Sequence, residues 1–468
     1  MKYVSTRGLA PALGFSDVLL AGLARDGGLY VPETWPAFSS ESFARLAGRP
    51  YHEVAYAVIH PFVAGEIADA DLERMCTEAY ATFRHPAVAP LVQSGPNSFI
   101  LELFHGPTLA FKDVAMQLLA RLMDHVLAER GRRATIVGAT SGDTGGAAIE
   151  AFRGRNATDI FILFPHGRVS PVQQRQMTTV RDANVHAIAL EGSFDDCQTI
   201  VKGLFNDHGF RDRVSLSGVN SINWGRIVAQ VVYYVTAALS LGAPARAISF
   251  TVPTGNFGDV FAGYVAKKIG LPIDRLIIAT NTNDILARTL ESGRYEMTGV
   301  VPTQSPSMDI QISSNFERLL FEATGRDGDG VRRLMDSLGQ SGAFTMPEAA
   351  LAGIRGEFAA GCASEAETEA TMRDMLAATG YLADPHTAVA LAVAARQLDT
   401  GSPMVTLSTA HPAKFPAAVE QATGIHPALP LWLGDLMQRE ERFTVLPNDI
   451  GAVARFVEAR ARALHEKV

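Results

Sequence analysis

Cysteine is scarce. The chain has three in 468 residues, Cys76, Cys197 and Cys362, far apart and in no paired spacing. A disulfide framework and a thiolate metal centre are therefore excluded, and no metal site is expected. Basic runs are absent and the formal net charge is -8, which argues against a nucleic-acid partner. No uninterrupted apolar run reaches the length of a membrane span. The opening Met1-Lys2-Tyr3-Val4-Ser5-Thr6-Arg7-Gly8 holds no apolar core of signal-peptide length. The expectation is a cytoplasmic protein, monomer or homodimer, with neither a nucleic-acid nor a membrane partner. Charged residues are few, 19%, against 47% hydrophobic, and the length suffices for two or three domains with a large core.

What is present is organised around residues 104–113, Phe104-His105-Gly106-Pro107-Thr108-Leu109-Ala110-Phe111-Lys112-Asp113. Gly106 and Pro107 interrupt regular structure, and Ala110-Phe111 delivers one lysine. Behind it, Ala115, Leu118, Leu119, Leu122 and Val126 recur at the helical period. Lys112 thus opens a buried helix among apolar neighbours. Partial desolvation there eases loss of its proton, the condition for an imine-forming amine. The ordinary alternative is a lysine with a packed stem and a solvated head.

Residues 1–95 read as a unit of their own. Phe15 to Leu23, Tyr51 to Val63 and Ala68 to Phe83 carry helical spacing, Arg25 to Gly28 is a turn, and Leu29 to Pro32 is extended. Pro86 to Pro96 reads as a linker. The catalytic core is expected over 96–468, where strands alternate with helices: Ile100–Phe104, Ala134–Val137, Ile160–Phe164, Val185–Leu190, Ile248–Val252, Leu276–Thr280 and Met404–Ser408. That alternation predicts α/β architecture with mostly parallel sheets in two doubly wound domains. The smaller spans roughly 131–230, and the larger comprises 96–130 and 231–440. A helical insertion is expected near 325–380, and an amphipathic helix from Asn448 to His465. Ligands of such sheets lie beyond the carboxyl ends of the strands.

Three further stretches join the lysine. Thr254-Gly255-Asn256-Phe257-Gly258-Asp259 follows a strand and opens a helix, where free N–H groups favour an anion such as a phosphate. Neither a Walker nor a Rossmann pattern is present. Thr140-Ser141-Gly142-Asp143-Thr144-Gly145-Gly146 offers hydroxyls and free N–H groups to a carboxylate or phosphate; a plain helix cap is the alternative. Asn220-Ser221-Ile222-Asn223-Trp224-Gly225-Arg226 gathers amides, a hydroxyl and a guanidinium suited to a phosphorylated small molecule, or forms a cap beside a buried Trp. In addition, Thr409 closes a strand with a hydroxyl free for a ring nitrogen, and His411 beside it reads as a satisfied structural histidine. An imine lysine, anion turns and a strand-end hydroxyl together are the parts pyridoxal phosphate requires.

On these residues the chain resembles the longer threonine synthases, members of the tryptophan-synthase-β-like, fold type II, pyridoxal-phosphate family. The likeness covers nearly the whole chain. It rests on the opening eight residues, Asp26 to Pro32, His105 to Asp113, Thr140 to Gly145 and Asn220 to Trp224. The resemblance implies pyridoxal 5'-phosphate as cofactor and conversion of O-phospho-L-homoserine and water to L-threonine and phosphate. Lys112 would hold the cofactor as a Schiff base, then move protons at Cα and Cβ. Gly255, Asn256, Phe257, Gly258 and Asp259 would cradle the cofactor phosphate, and Thr409 would face the pyridine nitrogen, leaving the ring neutral. Thr140, Ser141, Gly142, Asp143 and Thr144 would take the substrate carboxylate. Asn220, Ser221, Asn223 and Arg226 would take its phosphate, although the two anions can be exchanged between these loops.

One position departs from the wider superfamily, which often has Asn where this chain has Asp143. A carboxylate there repels the cofactor phenolate unless it is protonated or turned away. Two other readings of the same loops are a serine or threonine dehydratase, which needs no substrate-phosphate site, and a phosphometabolite-binding module without covalent chemistry.

Overall fold

The computed structural model of the chain describes residues 1–397 and 401–464. Two sheets dominate. In the six-stranded sheet the order is Phe358–Cys362, Ile273–Thr280, Ile248–Pro253, Met404–Ser408, Ser98–Glu102 and Leu91–Gly95. Every pairing is parallel except the last. The second sheet has five parallel strands, ordered Thr444–Pro447, Val185–Glu191, Thr158–Pro165, Ala134–Ala139 and Leu216–Ser217.

The central strands are buried along their whole length, as in Thr158–Pro165 and Ile248–Pro253. Strands covered by helices on both faces read as continuous apolar runs, and this is why the sequence exposed them. The fold is thus the α/β, mostly parallel architecture expected, with a mainly helical N-terminal part. That part carries helices Phe15–Ala21, Ser40–Leu46, Tyr51–Val63 and Asp69–Tyr80 and a small strand pair, Tyr3–Ser5 with Tyr30–Pro32.

Three segments differ from expectation. The stretch read as a linker contains the strand Leu91–Gly95, which pairs antiparallel with Ser98–Glu102. Its flanking prolines, Pro90 and Pro96, stop it at both ends and disguise it; at a sheet edge, proline's missing donor does no harm. Within 325–380 the chain is mainly helical, but Ala343–Thr345 and Phe358–Cys362 are strands, the latter an edge strand of the large sheet. At the end, the helix is Ile450–Glu458, followed by a 3-10 turn at Arg462–Leu464. His465 lies outside the described residues.

The N-terminal part is bolted to the helices Trp224–Ser240 and Phe316–Ala323 by aromatic packing and ions. Trp224, fully buried, stands 5.7 Å from the Tyr3 ring and 5.9 Å from Phe62, centroid to centroid. Arg7 donates twice to Glu317, at 3.0 Å each, and the Thr6 hydroxyl donates to the same carboxylate at 2.6 Å. Arg318, also fully buried, donates to the carbonyls of Tyr30 and Ile222 and to Asn315 Oδ1.

Candidate active site

Four loops meet at the carboxyl ends of parallel strands: 103–111 after Ser98–Glu102, 140–142 after Ala134–Ala139, 254–257 after Ile248–Pro253, and 409–411 after Met404–Ser408. The first and last are stitched together. Leu103 N–H donates to the Ser408 carbonyl at 2.9 Å, Phe111 N–H to that of Thr409 at 2.8 Å, and His411 N–H to that of Leu109 at 3.0 Å. Leu109 takes φ 63°, a left-handed conformation rare for a branched residue. Asp113 ties the loop down by accepting from Thr108 N–H at 2.8 Å and the Thr108 hydroxyl at 2.7 Å.

Lys112 is the first residue of the helix Lys112–Glu129 and is 8% exposed. Its Nζ lies 3.4 Å from Asp143 Oδ2. Burial draws its amine below the ordinary lysine range; Asp143 opposes the shift, and Arg226 and Lys414 reinforce it. The sequence expectation of a desolvated lysine at a helix start agrees with this placement.

Asp143 opens the helix Asp143–Phe152. Its Oδ1 accepts from Gln173 Nε2 at 2.7 Å and lies 3.0 Å from Lys414 Nζ. Burial alone would raise its carboxyl, but Lys414 and Lys112, with the Gln173 bond, hold it well below the usual carboxylate range. Asp143 is therefore ionised, with its charge directed at two ammonium groups. In the same loop the Thr140 hydroxyl accepts from the N–H groups of Gly142 and Gly145, both at 2.9 Å, so it does act as a cap. Its own proton remains free to donate. Ser141 is exposed, and Thr144 is half-buried.

The turn 254–257 leads into the helix Gly258–Lys268, whose N-terminus has no side-chain cap. Phe257 there takes φ 64°. The turn is held from behind: the Ser313 hydroxyl donates to the Gly255 carbonyl at 2.7 Å, and Asn315 Nδ2 to the Asn256 carbonyl at 2.9 Å. Gly255 is required by this packing, since a Cβ would stand 2.6 Å from the Ser307 carbonyl oxygen. Asn256 is exposed. The Asp259 carboxylate is buried and accepts from the Tyr233 and Tyr234 hydroxyls, the latter at 2.9 Å. Burial pushes its carboxyl up to about 6, against the pull of those two bonds. Asp259 can serve an anion at this turn through its backbone only.

The third loop divides. Asn223 is fully buried and committed to the fold: Oδ1 caps Gly225 N–H at 2.9 Å, and Nδ2 donates to the carbonyls of Leu19 at 2.8 Å and Gly218 at 3.3 Å. This corrects its expected place among substrate ligands; a cap and a ligand share the same residue preference. Asn220 is exposed and Ser221 half-buried. Arg226 is 3% exposed, and its Nε has no hydrogen-bond partner among the described residues. Burial draws its guanidinium down to about 10. The Tyr233 hydroxyl and the Asp259 carboxylate act on it electrostatically in the opposite sense, but no ion pair closes on the guanidinium among the described residues, and a buried cation so placed is costly.

Thr409 is buried, with its carbonyl taken by Phe111 N–H. His411 is the structural histidine expected, its Nδ1 accepting from Ala413 N–H at 3.1 Å. The sequence reading missed Lys414, Gln173, Ser313 and Asn315. The run Ser313-Ser314-Asn315 carries a turn signal, but nothing in the sequence marks it as facing residues 255–256.

A desolvated amine, an uncapped helix start behind a tight turn, an orphaned buried guanidinium and a strand-end hydroxyl fit pyridoxal phosphate and an anionic substrate. Comparison with known proteins agrees. Residues 2–80 match the model of the threonine synthase N terminus, 85–410 that of pyridoxal-phosphate dependent enzymes, and 387–457 that of the threonine synthase C-terminal region. A threonine synthase of Pseudomonas aeruginosa is 56% identical over 459 residues, covering 98% of each chain. The crystal structure of a PLP-bound threonine synthase from Brucella melitensis is 68% identical with TM-score 0.97, covering 99% of this chain and 100% of that one. The yeast threonine synthase structure is 40% identical with TM-score 0.93, covering 98% of both. This chain belongs to the threonine synthase family of pyridoxal-phosphate-dependent enzymes.

Proposed function

We infer that this chain converts O-phospho-L-homoserine and water to L-threonine and phosphate, with Lys112 as the amine that holds pyridoxal phosphate and then carries protons. The observation that carries the assignment of Lys112 is its burial at a helix start, proton affinity lowered and 3.4 Å from Asp143. The bound cofactor supplies an electron sink that makes the protons at substrate Cα and Cβ acidic.

The chain's own residues then do the following. Gly255, Asn256, Phe257, Gly258 and the backbone of Asp259 hold the cofactor phosphate at the uncapped helix start. Thr409 presents its hydroxyl to the ring nitrogen. Arg226, whose Nε has no partner among the described residues, pairs with the substrate phosphate, with Asn220 and Ser221 in the same loop. Thr140, through its free hydroxyl proton, and Ser141, Gly142 and Thr144 orient the substrate carboxylate. Asp143 stays ionised with its charge on Lys112 and Lys414, and that pairing would lessen its repulsion of the cofactor phenolate. Lys112, once freed, removes and returns protons at substrate carbon.

We read residues 1–95 as a cover over the catalytic core of 96–468. The protein is a cytoplasmic enzyme, monomer or homodimer, without a nucleic-acid partner. No helix among the described residues is long and apolar enough to cross a membrane.

Borohydride reduction of the holoenzyme followed by peptide mapping tests the lysine: the label is expected on Lys112, and a label elsewhere removes it from this role. Phosphate release from O-phospho-L-homoserine tests the reaction. Deamination of serine or threonine without such release would indicate the dehydratase instead.

A further inference from the structure

Lys414 is the second ammonium group of this site, and the proposed function gives it no part beyond facing Asp143. Its side chain is fully buried in the turn Pro412–Lys414. Nζ donates to the Thr108 carbonyl at 2.7 Å and to Gln176 Oε1 at 2.9 Å, and lies 3.0 Å from Asp143 Oδ1. All three partners bear on Lys112. Thr108 belongs to the loop that delivers it, Asp143 is its counter-ion, and Gln176 sits on the helix Pro171–Thr178, which also supplies Gln173 to Asp143.

The carboxylate is thus divided. Oδ1 faces Lys414 and Gln173, and Oδ2 faces Lys112. We propose that Lys414 is a positioning residue: it fixes Asp143 with one oxygen turned to Lys112, and its charge limits how strongly that carboxylate holds a proton on the Lys112 nitrogen. This rests on Lys112 being the Schiff-base lysine.

The physical argument is one of shared charge. A carboxylate with a single ammonium neighbour in a dry site stabilises the proton there strongly. An amine so held is a poor base. A second ammonium group on the other oxygen weakens that hold and repels the first cation directly. The other charged groups around this cluster are Asp113, Arg226 from the helix Trp224–Ser240 and Asp259 from the helix Gly258–Lys268; His386, on Pro385–Ala395, acts on Asp143. Asp113, next to Lys112 on its own helix, is bonded to Thr108, and burial pushes its carboxyl up to about 6 against the pull of those bonds and of Lys414. Arg226 acts in the same direction as Lys414, whereas Asp259 is turned onto two tyrosines. Lys414 is the only one of these groups that touches Asp143 and the lysine loop together.

The test is a pH titration of the Schiff-base absorbance in the holoenzyme, for wild type, Lys414→Met, Lys414→Arg and Asp143→Asn. The expected order of midpoints is Asp143→Asn lowest and Lys414→Met highest, with at least about one pH unit between the two. Lys414→Arg keeps the charge and is expected near wild type. A role in folding alone would not move the two members of one ion pair in opposite directions. Coincident midpoints for Asp143→Asn and Lys414→Met, or the reverse order, would overturn the proposal. If Lys414→Met does not fold, the comparison of Asp143→Asn with Lys414→Arg decides: equal midpoints overturn it. Borohydride mapping of the same samples separates the two inferences. A label on Lys112 with unmoved midpoints sinks the role of Lys414 alone, and a label elsewhere sinks the assignment beneath it.

Discussion

Asn315 grips Asn256 twice: its Nδ2 lies 2.9 Å and its backbone nitrogen 3.1 Å from the same Asn256 carbonyl oxygen. The turn proposed to hold the cofactor phosphate is therefore braced by a segment nearly sixty residues downstream. Asn315→Ala removes one of these bonds and one of the three acceptors of Arg318. Its expected effect is a roughly tenfold weaker affinity for pyridoxal phosphate, about 1.4 kcal/mol. Spectral titration of the cofactor-free protein measures it, and an unchanged dissociation constant would remove Asn315 from cofactor retention.

Arg226 and Asn223 lie three residues apart and should fail in different ways. Arg226→Met takes away a buried cation whose Nε has no partner among the described residues, so the urea midpoint should hold or rise. KM for O-phospho-L-homoserine should rise on the order of 10- to 100-fold. Asn223→Ala removes a helix cap, with an expected cost of about 1–2 kcal/mol in stability. KM should change little in that variant. The opposite pattern would return Asn223 to the substrate and take Arg226 from it.

Lys112→Ala should keep the fold and its urea midpoint, lose the Schiff-base absorbance and abolish turnover. Circular dichroism, the visible spectrum and phosphate release measure the three in turn. Substantial residual turnover would mean that another amine does the chemistry.

His186 stacks on Phe161, ring centroids 4.4 Å apart at 21°. Burial, with Arg460, Arg442 and Arg462 acting in the same sense, draws its imidazole down to about 4. Between that value and the ordinary 6.5, the unfolded chain binds a proton that the folded chain does not. Stability from this group is complete above pH 6.5 and declines as pH falls toward 4. His186→Phe should flatten that decline. Urea midpoints at pH 5 and pH 7.5, compared with wild type, give the answer; an equal drop in both proteins would dismiss His186 as its source.

The central strands and the lysine helix were legible because their burial leaves a plain mark. Thr158–Pro165 is buried at every residue, and Ala115, Leu118, Leu119, Leu122 and Val126 repeat at the helical period. Phe358–Cys362 left no such mark: it is a short edge strand between charged helices, and its composition, Phe-Ala-Ala-Gly-Cys, is weak in strand formers. Among site residues, Lys112 was readable because a break, an apolar pair and a periodic helix surround it. Lys414 was not, because a lysine buried by contacts with residues 108, 143 and 176 carries no local pattern. Asn223 was misplaced because the amide that suits a ligand also suits a helix cap.

The bond from Thr6 to Glu317 spans 311 residues of chain. At about 5–20 residues per second of synthesis, the first strand waits roughly 15–60 s on the ribosome before its docking carboxylate exists. Over that interval Tyr3 and Val4 can already pair with Tyr30–Pro32, but Thr6 and Arg7 lack the carboxylate that anchors the end of the strand to the rest of the chain. Nascent chains halted just before residue 317 should therefore be the ones most readily captured by chaperones.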